Sequence, residues 1–330
     1  MARQTMQAIR VHQYGGPEQL RQEQIPRPEP QAGEVLIRVH AAGVLPADWK
    51  VRQGLFQDWF PIQFPYIPGS AVAGVVEEVG SGVTTFQPGQ AVFGRSTNGA
   101  YAEYTTTAVE APALTPGRFS LLDRKPDALS FAEAATISGG ATTAWAALFG
   151  DGALQAGQRV LIHGAAGGVG LYAVQFAHWK GAQVIGTAST ANVDFVRSLG
   201  AETVIDYTAT PFEQVVHDVD LVLDTIGGET LQCSMNVVRP GGTLVSLLEQ
   251  PSPELAQARG IRALKNAVTP TSEHLRIIAQ LIDEGQVRAV VGRTFPLQGA
   301  RQAHELSQSG HGRGRIVLHT IQKDESKHVS

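Results

Sequence analysis

The chain has 330 residues, of which 43% are hydrophobic and 17% are charged, and its formal net charge is −4. This length exceeds what one ordinary hydrophobic core organises and predicts two domains. The mildly negative charge, without a run of Lys or Arg, argues against nucleic acid or an acidic membrane surface as a partner.

The cysteine content and the lengths of the apolar runs exclude further classes of protein. A single cysteine, Cys233, excludes an intramolecular disulfide and a four-cysteine zinc site. Residues 1–5 lack the apolar centre of a signal peptide, and no apolar run approaches the ~20 residues of a membrane helix. We therefore expect a cytoplasmic protein that makes no use of a membrane.

The first part of the chain is predicted to be mostly β. Runs of β-branched and aromatic residues, separated by glycine and proline turns, are typical of strands. The predicted strands are 7–13, 34–42, 72–79, 91–94 and 101–107.

From residue 130 onwards, helices alternate with strands. Ser130 and Glu133 have the spacing of a capping box and predict the start of a helix. The alternation is typical of βαβ units and predicts a parallel sheet covered on both faces. The predicted strands are 159–163, 182–187, 203–206, 219–224 and 242–248, and the predicted helices are 168–180, 191–199, 211–217 and 229–237.

The last part of the chain has a looser pattern. A sixth strand is predicted within 261–268, an amphipathic helix at 272–284, a helix at 299–308 and a final strand at 315–320. The polar residues 322–330 are expected to fray.

The run HGAAGGVG at 163–170 is the most informative motif. It follows an apolar strand and opens a predicted helix, and the small residues at 165, 167 and 170 fit G-x-G-x-x-G with Ala165 in the first position. A backbone with few Cβ atoms lets a pyrophosphate approach, and a helix N-terminus offers it N–H groups and a partial positive charge. We therefore interpret the run as a dinucleotide-binding turn, with a purely structural glycine turn as the alternative.

Further segments, in the same order along the chain, resemble the medium-chain dehydrogenase/reductase superfamily and, within it, the zinc-free NADPH:quinone oxidoreductases. The matching segments are 41–44, 48–50, 68–76, 99–104, 143–145, 163–170, 199–201, 224–228 and 314–318. The resemblance implies an α/β protein in which residues 126–287 form a Rossmann doubly wound parallel sheet. Residues 1–125 and 288–330 would form a mostly β, GroES-like catalytic domain, with a cleft between the two. It also implies a homodimer joined through edge strands near 261–268.

The zinc ligands of the zinc-dependent relatives are absent from this sequence. Those relatives place a cysteine and a Gly-His-Glu where this chain has Leu45 and Gly69-Ser70-Ala71, and these side chains do not bind zinc. We therefore expect hydride transfer without a metal. Zinc-free relatives commonly have asparagine in place of Leu45. Three explanations of the leucine are possible: a more apolar pocket, a different substrate, or neutral drift.

The second strand of the nucleotide-binding unit predicts NADPH rather than NADH. It ends without the Asp or Glu that binds the ribose hydroxyls of NAD. Thr187 and Ser189 are expected to donate to a 2′-phosphate, and Tyr207 matches a tyrosine that relatives place beside it. Arg197 either adds a positive charge there or lies on a solvated helix face.

The resemblance also implies the remaining site residues. Nicotinamide is expected beside Thr143, with the loops that contain Asp224 and Leu247 on its far side. Phosphate oxygens are expected at the backbone of Ala166, Gly167, Gly168, Val169 and Gly170.

The substrate side is expected to contain Leu45, Asp48, Trp49, Lys50 and Tyr66. Asp48, Lys50 and Thr143 are the candidate catalytic residues. Asp48 alternatively holds its loop through hydrogen bonds to the backbone, and Lys50 alternatively lies on the surface. Aromatic residues are dense between positions 49 and 64. They belong either to the hydrophobic core or to a flat apolar lid over the pocket, and they are Trp49, Phe56, Trp59, Phe60 and Phe64.

The predicted reaction is hydride transfer from C4 of NADPH to a quinone, or to the β-carbon of an enal or enone. Hydrogen-bond donors stabilise the oxyanion that develops, and close approach of the two reactants supplies much of the acceleration. No Ser-Tyr-Lys or His-Asp relay is evident, so we expect solvent to supply the proton. The alternatives are an enoyl-thioester or carbonyl reductase, and a low-turnover NADPH-binding redox sensor or interaction protein.

Overall fold

The computed structural model describes residues 4–58, 61–109, 120–310 and 312–320. The chain divides into two compact units, Met1–Gly139 with Ala289–Ser330, and Gly140–Arg288. The first boundary lies inside the helix Phe131–Trp145, so the first two turns of that helix belong to the first unit.

The strands and helices have the following bounds in chain order. The strands are β1 Thr5–Arg10, β2 Arg21–Pro26, β3 Glu34–Val44, β4 Ala71–Val79, β5 Ala91–Arg95, β6 Tyr104–Ala108, β7 Leu121–Arg124, β8 Arg159–Ile162, β9 Gln183–Ala188, β10 Thr203–Asp206, β11 Val219–Asp224, β12 Val238–Ser246, β13 Arg262–Lys265, β14 Val291–Pro296 and β15 Arg315–His319. The helices are α1 Pro46–Arg52, α2 Phe131–Trp145, α3 Gly170–Trp179, α4 Val193–Arg197, α5 Gly228–Ser234, α6 Pro253–Arg259, α7 Ser272–Asp283 and α8 Ala300–Gln308.

The first unit is built on an antiparallel sheet in the order β14-β15-β3-β4-β5-β7, with β6 also paired to β3. Among the described strands of this unit, only β14 and β15 run parallel, and β1 and β2 form a separate hairpin. The core between these strands is mainly aliphatic and includes Val35, Ile37, Val72 and Leu318. On β3, a Cβ at Gly43 would lie 2.3 Å from the carbonyl oxygen of Ala135, so glycine lets α2 approach the sheet closely.

The second unit contains six parallel strands in the order β10-β9-β8-β11-β12-β13. Numbered within the unit, this is the order 3-2-1-4-5-6 of a doubly wound sheet, and it confirms the parallel sheet predicted from the sequence. The winding direction reverses between β8 and β11. Ligands of such sheets bind at this reversal, beyond the carboxyl ends of the strands, which here are followed by the glycine-rich turn and by residues 225–228.

One predicted helix, 211–217, is wrong. The structure has a single turn there, Phe212–Gln214, because Pro211 is extended and Val215 leaves the helical region with φ −125°. The burial of Phe212 and Val216 explains the helix-like apolar spacing without a helix.

Several elements were absent from the sequence prediction. They are β2, β7, α1, α6 and β14. Helix α1 begins with Pro46, a residue that suits the first helical position because its missing N–H is not needed there. Within the described ranges, no helix is both long and apolar enough to cross a bilayer.

Buried Asp151 anchors the segment that follows the last strand of the parallel sheet. It ends a π-helical turn, Ala146–Asp151, and its Oδ2 accepts hydrogen bonds from Asn266 Nδ2 at 2.5 Å and from the N–H of Ala267 at 3.1 Å. We expect Asp151→Ala to lower the free energy of unfolding by about 2–4 kcal/mol, because buried donors lose their acceptor.

Chemical denaturation of the variant measures this loss. Asp283→Ala, at an exposed position on α7, is the control and should change stability by less than about 0.5 kcal/mol. Equal stability of the two variants would contradict the anchoring role.

Candidate cofactor and substrate sites

Two positions in the turn after β8 require glycine for the backbone to adopt its fold, independently of any ligand. Gly164 has φ +63°, and a Cβ there would lie 2.5 Å from Thr225 Oγ1. A Cβ on Gly170 would lie 2.2 Å from the carbonyl oxygen of Gly164. The first constrained position is therefore Gly164 and not Ala165, whose buried methyl group faces Gly186 of β9.

The same turn presents backbone donors at the start of α3. The N–H groups of Ala166, Val169 and Gly170 have no acceptor in the part of the chain that the structure describes. The N–H of Gly167, in contrast, donates to the carbonyl oxygen of Gly164 at 2.9 Å. Donors at the N-terminus of a ten-residue helix suit a phosphate group, because the helix dipole adds a partial positive charge.

The Thr187 hydroxyl is not exposed at the end of β9, where it was expected to contact a 2′-phosphate. Its side chain is buried beneath the turn, where Oγ1 lies 3.1 Å from His163 Nδ1 and 3.3 Å from the N–H of Gly164. The hydroxyl group is therefore engaged inside the protein and supports the turn, and the expectation that it donates to a 2′-phosphate is corrected.

Ser189 and Tyr207 lie beyond the ends of β9 and β10. Ser189 Oγ accepts a hydrogen bond from Asn192 Nδ2 at 3.1 Å, and the Tyr207 side chain is 55% exposed. Arg197 Nη1 pairs with Asp194 at 3.1 Å on the surface of α4, in agreement with the solvated alternative for this residue.

A carboxylate that the sequence analysis did not consider also lies at this edge. Asp206 ends β10, opposite Ala188 of β9. Hydrogen bonds from the hydroxyl groups of Thr190 and Thr208, both at 2.6 Å, lower the pKa of Asp206.

Asp224 organises the loops that follow β11 and β12. It is fully buried; its Oδ1 accepts from the N–H groups of Ile226 and Gly227, each at 3.0 Å, and its Oδ2 accepts from Ser246 Oγ at 2.8 Å. The N–H of Leu247 donates to the carbonyl oxygen of Asp224 at 2.9 Å. Asp224 thus holds both loops in place, and any contact with a cofactor would come from those loops rather than from this carboxylate.

In the first unit, Asp48 belongs to a buried hydrogen-bonded chain. Its Oδ2 accepts from the N–H of Leu45 at 2.8 Å and from the hydroxyl of Tyr101 at 3.0 Å, and His304 Nε2 lies 3.2 Å from that hydroxyl. Burial raises the pKa of Asp48 to about 6, against hydrogen bonds and the charges of two arginines that lower it. These contacts agree with the alternative in which Asp48 holds its loop.

The other substrate-side residues lie in the same unit. Leu45 is buried, and its side chain fills the space where a Cβ on Gly139 would fall. Lys50 Nζ lies 5.5 Å from the centre of the Trp49 ring, and the Tyr66 hydroxyl is buried and has no hydrogen-bond partner among the described residues.

Other candidates occupy varied positions. Thr143 is half-buried on α2 in the second unit, whereas Phe56 is half-buried and Phe64 exposed in the first. Trp59 and Phe60 lie outside the described residues. No group of three His, Cys, Asp or Glu side chains suited to a metal occurs in the ranges that the structure describes.

Sequence reasoning missed several residues of these sites. They are His163 and Ser234 in the second unit and Tyr101 and His304 in the first. His163 adjoins the glycine-rich motif, and this position was the one available signal. The others lie far along the chain from their partners, so no local pattern marks them.

Comparison with known proteins gives matches over nearly the whole chain. Residues 31–117 match the model of the alcohol dehydrogenase GroES-like domain, and residues 199–318 match that of a zinc-binding dehydrogenase. The quinone oxidoreductase of Rattus norvegicus is 33% identical over 333 residues, which cover 95% of this chain and 97% of the relative. The predicted GroES-like domain is confirmed.

Solved structures give the same result. The quinone oxidoreductase of Coxiella burnetii is 33% identical, with a TM-score of 0.88 over 96% of this chain and 100% of the other. A mycobacterial protein solved in complex with NADPH is 30% identical, with a TM-score of 0.85 and the same coverage. The CurK enoyl reductase is 27% identical, with a TM-score of 0.86 and again the same coverage.

The pKa of Asp48 makes a prediction about stability and pH. Because this pKa is about 6 in the folded chain and 3.8 ordinarily, the folded chain binds more protons between these values, and stability falls as the pH rises. Between pH 5 and pH 7, we expect the wild type to lose about 1 kcal/mol of unfolding free energy relative to Asp48→Asn.

Urea unfolding of both proteins at the two pH values measures the difference, and other titrating groups cancel in it. A wild type that keeps or gains stability relative to Asp48→Asn over this interval would show that the carboxyl has an ordinary or lowered pKa.

Proposed function

The chain belongs to the medium-chain dehydrogenase/reductase superfamily, among the quinone oxidoreductases, and we propose that it transfers a hydride from NADPH to a quinone or an α,β-unsaturated carbonyl compound. The oxidoreductase class follows from the relatives. The choice of NADPH, the electron-poor substrate and the independence from zinc are the proposal.

The observation that carries the proposal is the set of N–H groups on Ala166, Val169 and Gly170, which have no acceptor among the residues that the structure describes. They lie at the start of α3, beside the reversal of strand order where doubly wound sheets bind dinucleotides. Large apolar side chains are also exposed beyond the carboxyl ends of three strands, namely Tyr207, Ile226 and Leu248. A bound dinucleotide would cover such apolar surface and meet the free donors with its pyrophosphate.

The preference for NADPH rests on the end of β9. Ala188 and Ser189 stand where an NAD enzyme has an acidic residue, so β9 itself adds no carboxylate to repel a 2′-phosphate. Ser189 and Tyr207 remain the candidate donors, now that Thr187 is engaged beneath the turn. The carboxylate of Asp206 is already hydrogen-bonded to Thr190 and Thr208, and the mycobacterial relative bound NADPH.

When bound, NADPH supplies the hydride from C4 of its nicotinamide ring. The turn at 164–170 binds the phosphates, and Asp224 with Ser246 keeps residues 225–228 and 247–249 ordered beside them. In the first unit, Leu45, Trp49 and Tyr66 are the proposed walls of the substrate pocket, and Lys50 is a candidate donor to the substrate oxygen. In the second unit, Thr143 is the proposed catalytic neighbour of the nicotinamide. Asp48 acts by holding the Leu45 loop. The proton that completes the reduction comes from solvent.

Zinc independence is proposed from the residues at the ligand positions of the zinc-dependent relatives. Leu45 is an aliphatic side chain packed against α2, and Ser70 Oγ accepts a hydrogen bond from Arg95 Nη2 at 3.2 Å. Neither residue nor the neighbouring Ala71 supplies a side chain that zinc prefers.

We also propose a cytoplasmic homodimer joined through β13. This short strand pairs with β12 on one side, and it ends the order of the parallel sheet. The edge of a sheet can pair with the same edge of a second copy.

Enoyl-thioester reduction is the second candidate activity. The similarity to the CurK enoyl reductase favours it, and the chemistry is the same hydride addition to the β-carbon of a conjugated carbonyl. If no substrate is reduced, the remaining hypothesis is a low-turnover NADPH-binding redox sensor or interaction protein.

Oxidation of NADPH followed at 340 nm, with a panel of quinones, enals, enones, an enoyl thioester and aldehydes, tests the function. We expect turnover with quinones or conjugated carbonyls, and tighter binding of NADPH than of NADH by the apo-protein. Tight NADPH binding without turnover on any compound would instead identify a binding protein. Equal or tighter NADH binding would refute the cofactor preference.

A substitution at Gly167 distinguishes a glycine required for cofactor binding from a glycine required for folding. Its φ is not positive, and a Cβ there would meet only the Gly164 carbonyl oxygen at 3.1 Å. We expect Gly167→Ala to change stability by less than about 1 kcal/mol but to raise the Kd for NADPH at least about tenfold, because the methyl group enters the space of the pyrophosphate.

Calorimetric titration and thermal unfolding of the same samples measure both quantities. Gly299→Ala is the matched control, since its Cβ would meet Phe295 Cβ at the same 3.1 Å in the other unit. An unchanged Kd in Gly167→Ala would place the phosphates elsewhere.

A further inference from the structure

We propose that His163 is a positioning residue for the cofactor, which holds the dinucleotide turn in its phosphate-binding shape through a buried chain of hydrogen bonds. The inference rests on the proposed cofactor site and assigns a role to a side chain that would itself touch no cofactor atom.

The chain of contacts joins three segments of the second unit. His163 Nδ1 lies 3.1 Å from Thr187 Oγ1 at the end of β9, and His163 Nε2 lies 2.9 Å from Ser234 Oγ at the end of α5. Ser234 Oγ lies 2.6 Å from the carbonyl oxygen of Thr230, and Thr187 Oγ1 lies 3.3 Å from the N–H of Gly164. The His163, Thr187 and Ser234 side chains are all buried, at 1%, 3% and 0% exposure.

These contacts permit one arrangement of protons. The Ser234 hydroxyl donates to the Thr230 carbonyl oxygen, which has no proton, so Ser234 Oγ must accept from His163 Nε2–H. In a neutral ring, Nδ1 is then the acceptor, and the Thr187 hydroxyl donates to it. Thr187 Oγ1 remains free to accept the N–H of Gly164. Every donor is used once, and the chain ends on the glycine with φ +63°.

The ring stays in this neutral form at physiological pH. Burial lowers the pKa of His163 to about 4, and the charge of Asp224 raises it only in part. The ring also packs edge-on against Phe212, with 4.5 Å between the ring centres. The tautomer with the proton on Nε2 is therefore fixed by its surroundings.

The backbone of His163 is held independently of its ring. Its N–H donates to the carbonyl oxygen of Leu223 at 3.0 Å, and its carbonyl oxygen accepts from Thr225 Oγ1 at 2.8 Å. Replacement of the ring should thus leave β8 paired, while Thr187 loses its acceptor and the N–H of Gly164 loses an ordered partner. The loss is expected at the turn rather than in the sheet.

Four single variants, the double variant of His163→Phe with Thr187→Val, and one control test the proposal. His163→Phe keeps an aromatic ring against Phe212 but removes both hydrogen bonds. His163→Asn retains an amide oxygen near the position of Nδ1, and Thr187→Val and Ser234→Ala each break one end of the chain. Asp151→Ala is the control, because it removes buried hydrogen bonds of the same unit away from the turn. The Kd for NADPH, the KM for NADPH, kcat and Tm are measured for each.

We expect His163→Phe and Thr187→Val each to raise the Kd and KM for NADPH about tenfold, with kcat within about twofold of the wild type. The double variant should be no worse than His163→Phe alone, because both substitutions break the same chain. His163→Asn should recover part of the affinity. Asp151→Ala should lower Tm and leave the Kd unchanged.

Different results separate the inference from the proposed function. A Kd within about twofold of the wild type in both Thr187→Val and Ser234→Ala would overturn the inference, and these two variants decide the matter even if His163→Phe does not fold. A Kd that rises as much in Asp151→Ala would also overturn it, because the effect would then follow stability alone. A wild type that binds neither NADPH nor NADH would refute the proposed function, and this inference with it.

Discussion

Backbone N–H groups at the start of a helix suit a negatively charged partner, and the turn between β8 and α3 presents three of them that have no acceptor among the described residues. Gly164 adopts a positive φ so that the chain can turn directly from β8 into α3. Gly170 lacks a Cβ so that the first turn of α3 can pass over the carbonyl oxygen of Gly164. The buried side chains of His163 and Thr187 support the turn from below. On the other side of the strand reversal, Asp224 fixes the next two loops.

Much of this arrangement can be read from the sequence, because it depends on periodicity and on local motifs. The alternation of apolar strands with helices from residue 130 predicted the parallel sheet, and the run HGAAGGVG marked the turn that follows β8. The sequence does not show toward which side of the sheet a given side chain points. Thr187 and Ser189 are two residues apart, yet only the structure shows that the Thr187 hydroxyl is buried beneath the turn.

Where local preference and packing disagree, packing decides. The apolar spacing of Phe212 and Val216 resembled a helix, but an extended proline before it and a single turn satisfy the same burial. Helix α1 was missed because its N-terminal anchor is Asp48, and the environment of that carboxylate includes Tyr101 and His304 from distant parts of the chain. Leu45 packs in the space that Gly139 leaves open. The two positions therefore form a pair, and a larger residue at either one would displace the other.

The pairing of β3 with β15 has a consequence for the order in which the protein is made. Residues 41–44 of β3 pair with residues 316–319 of β15, so the sheet of the first unit contains strands from both ends of the chain. During synthesis from the N-terminus, one edge of β3 must wait until the whole parallel sheet has been translated. An unpaired strand edge of this kind attracts other chains, so the nascent polypeptide is most prone to aggregation while its N-terminal half awaits its last strand. The second unit has no such delay, since its strands β8 to β13 are contiguous in sequence and can pair as they leave the ribosome.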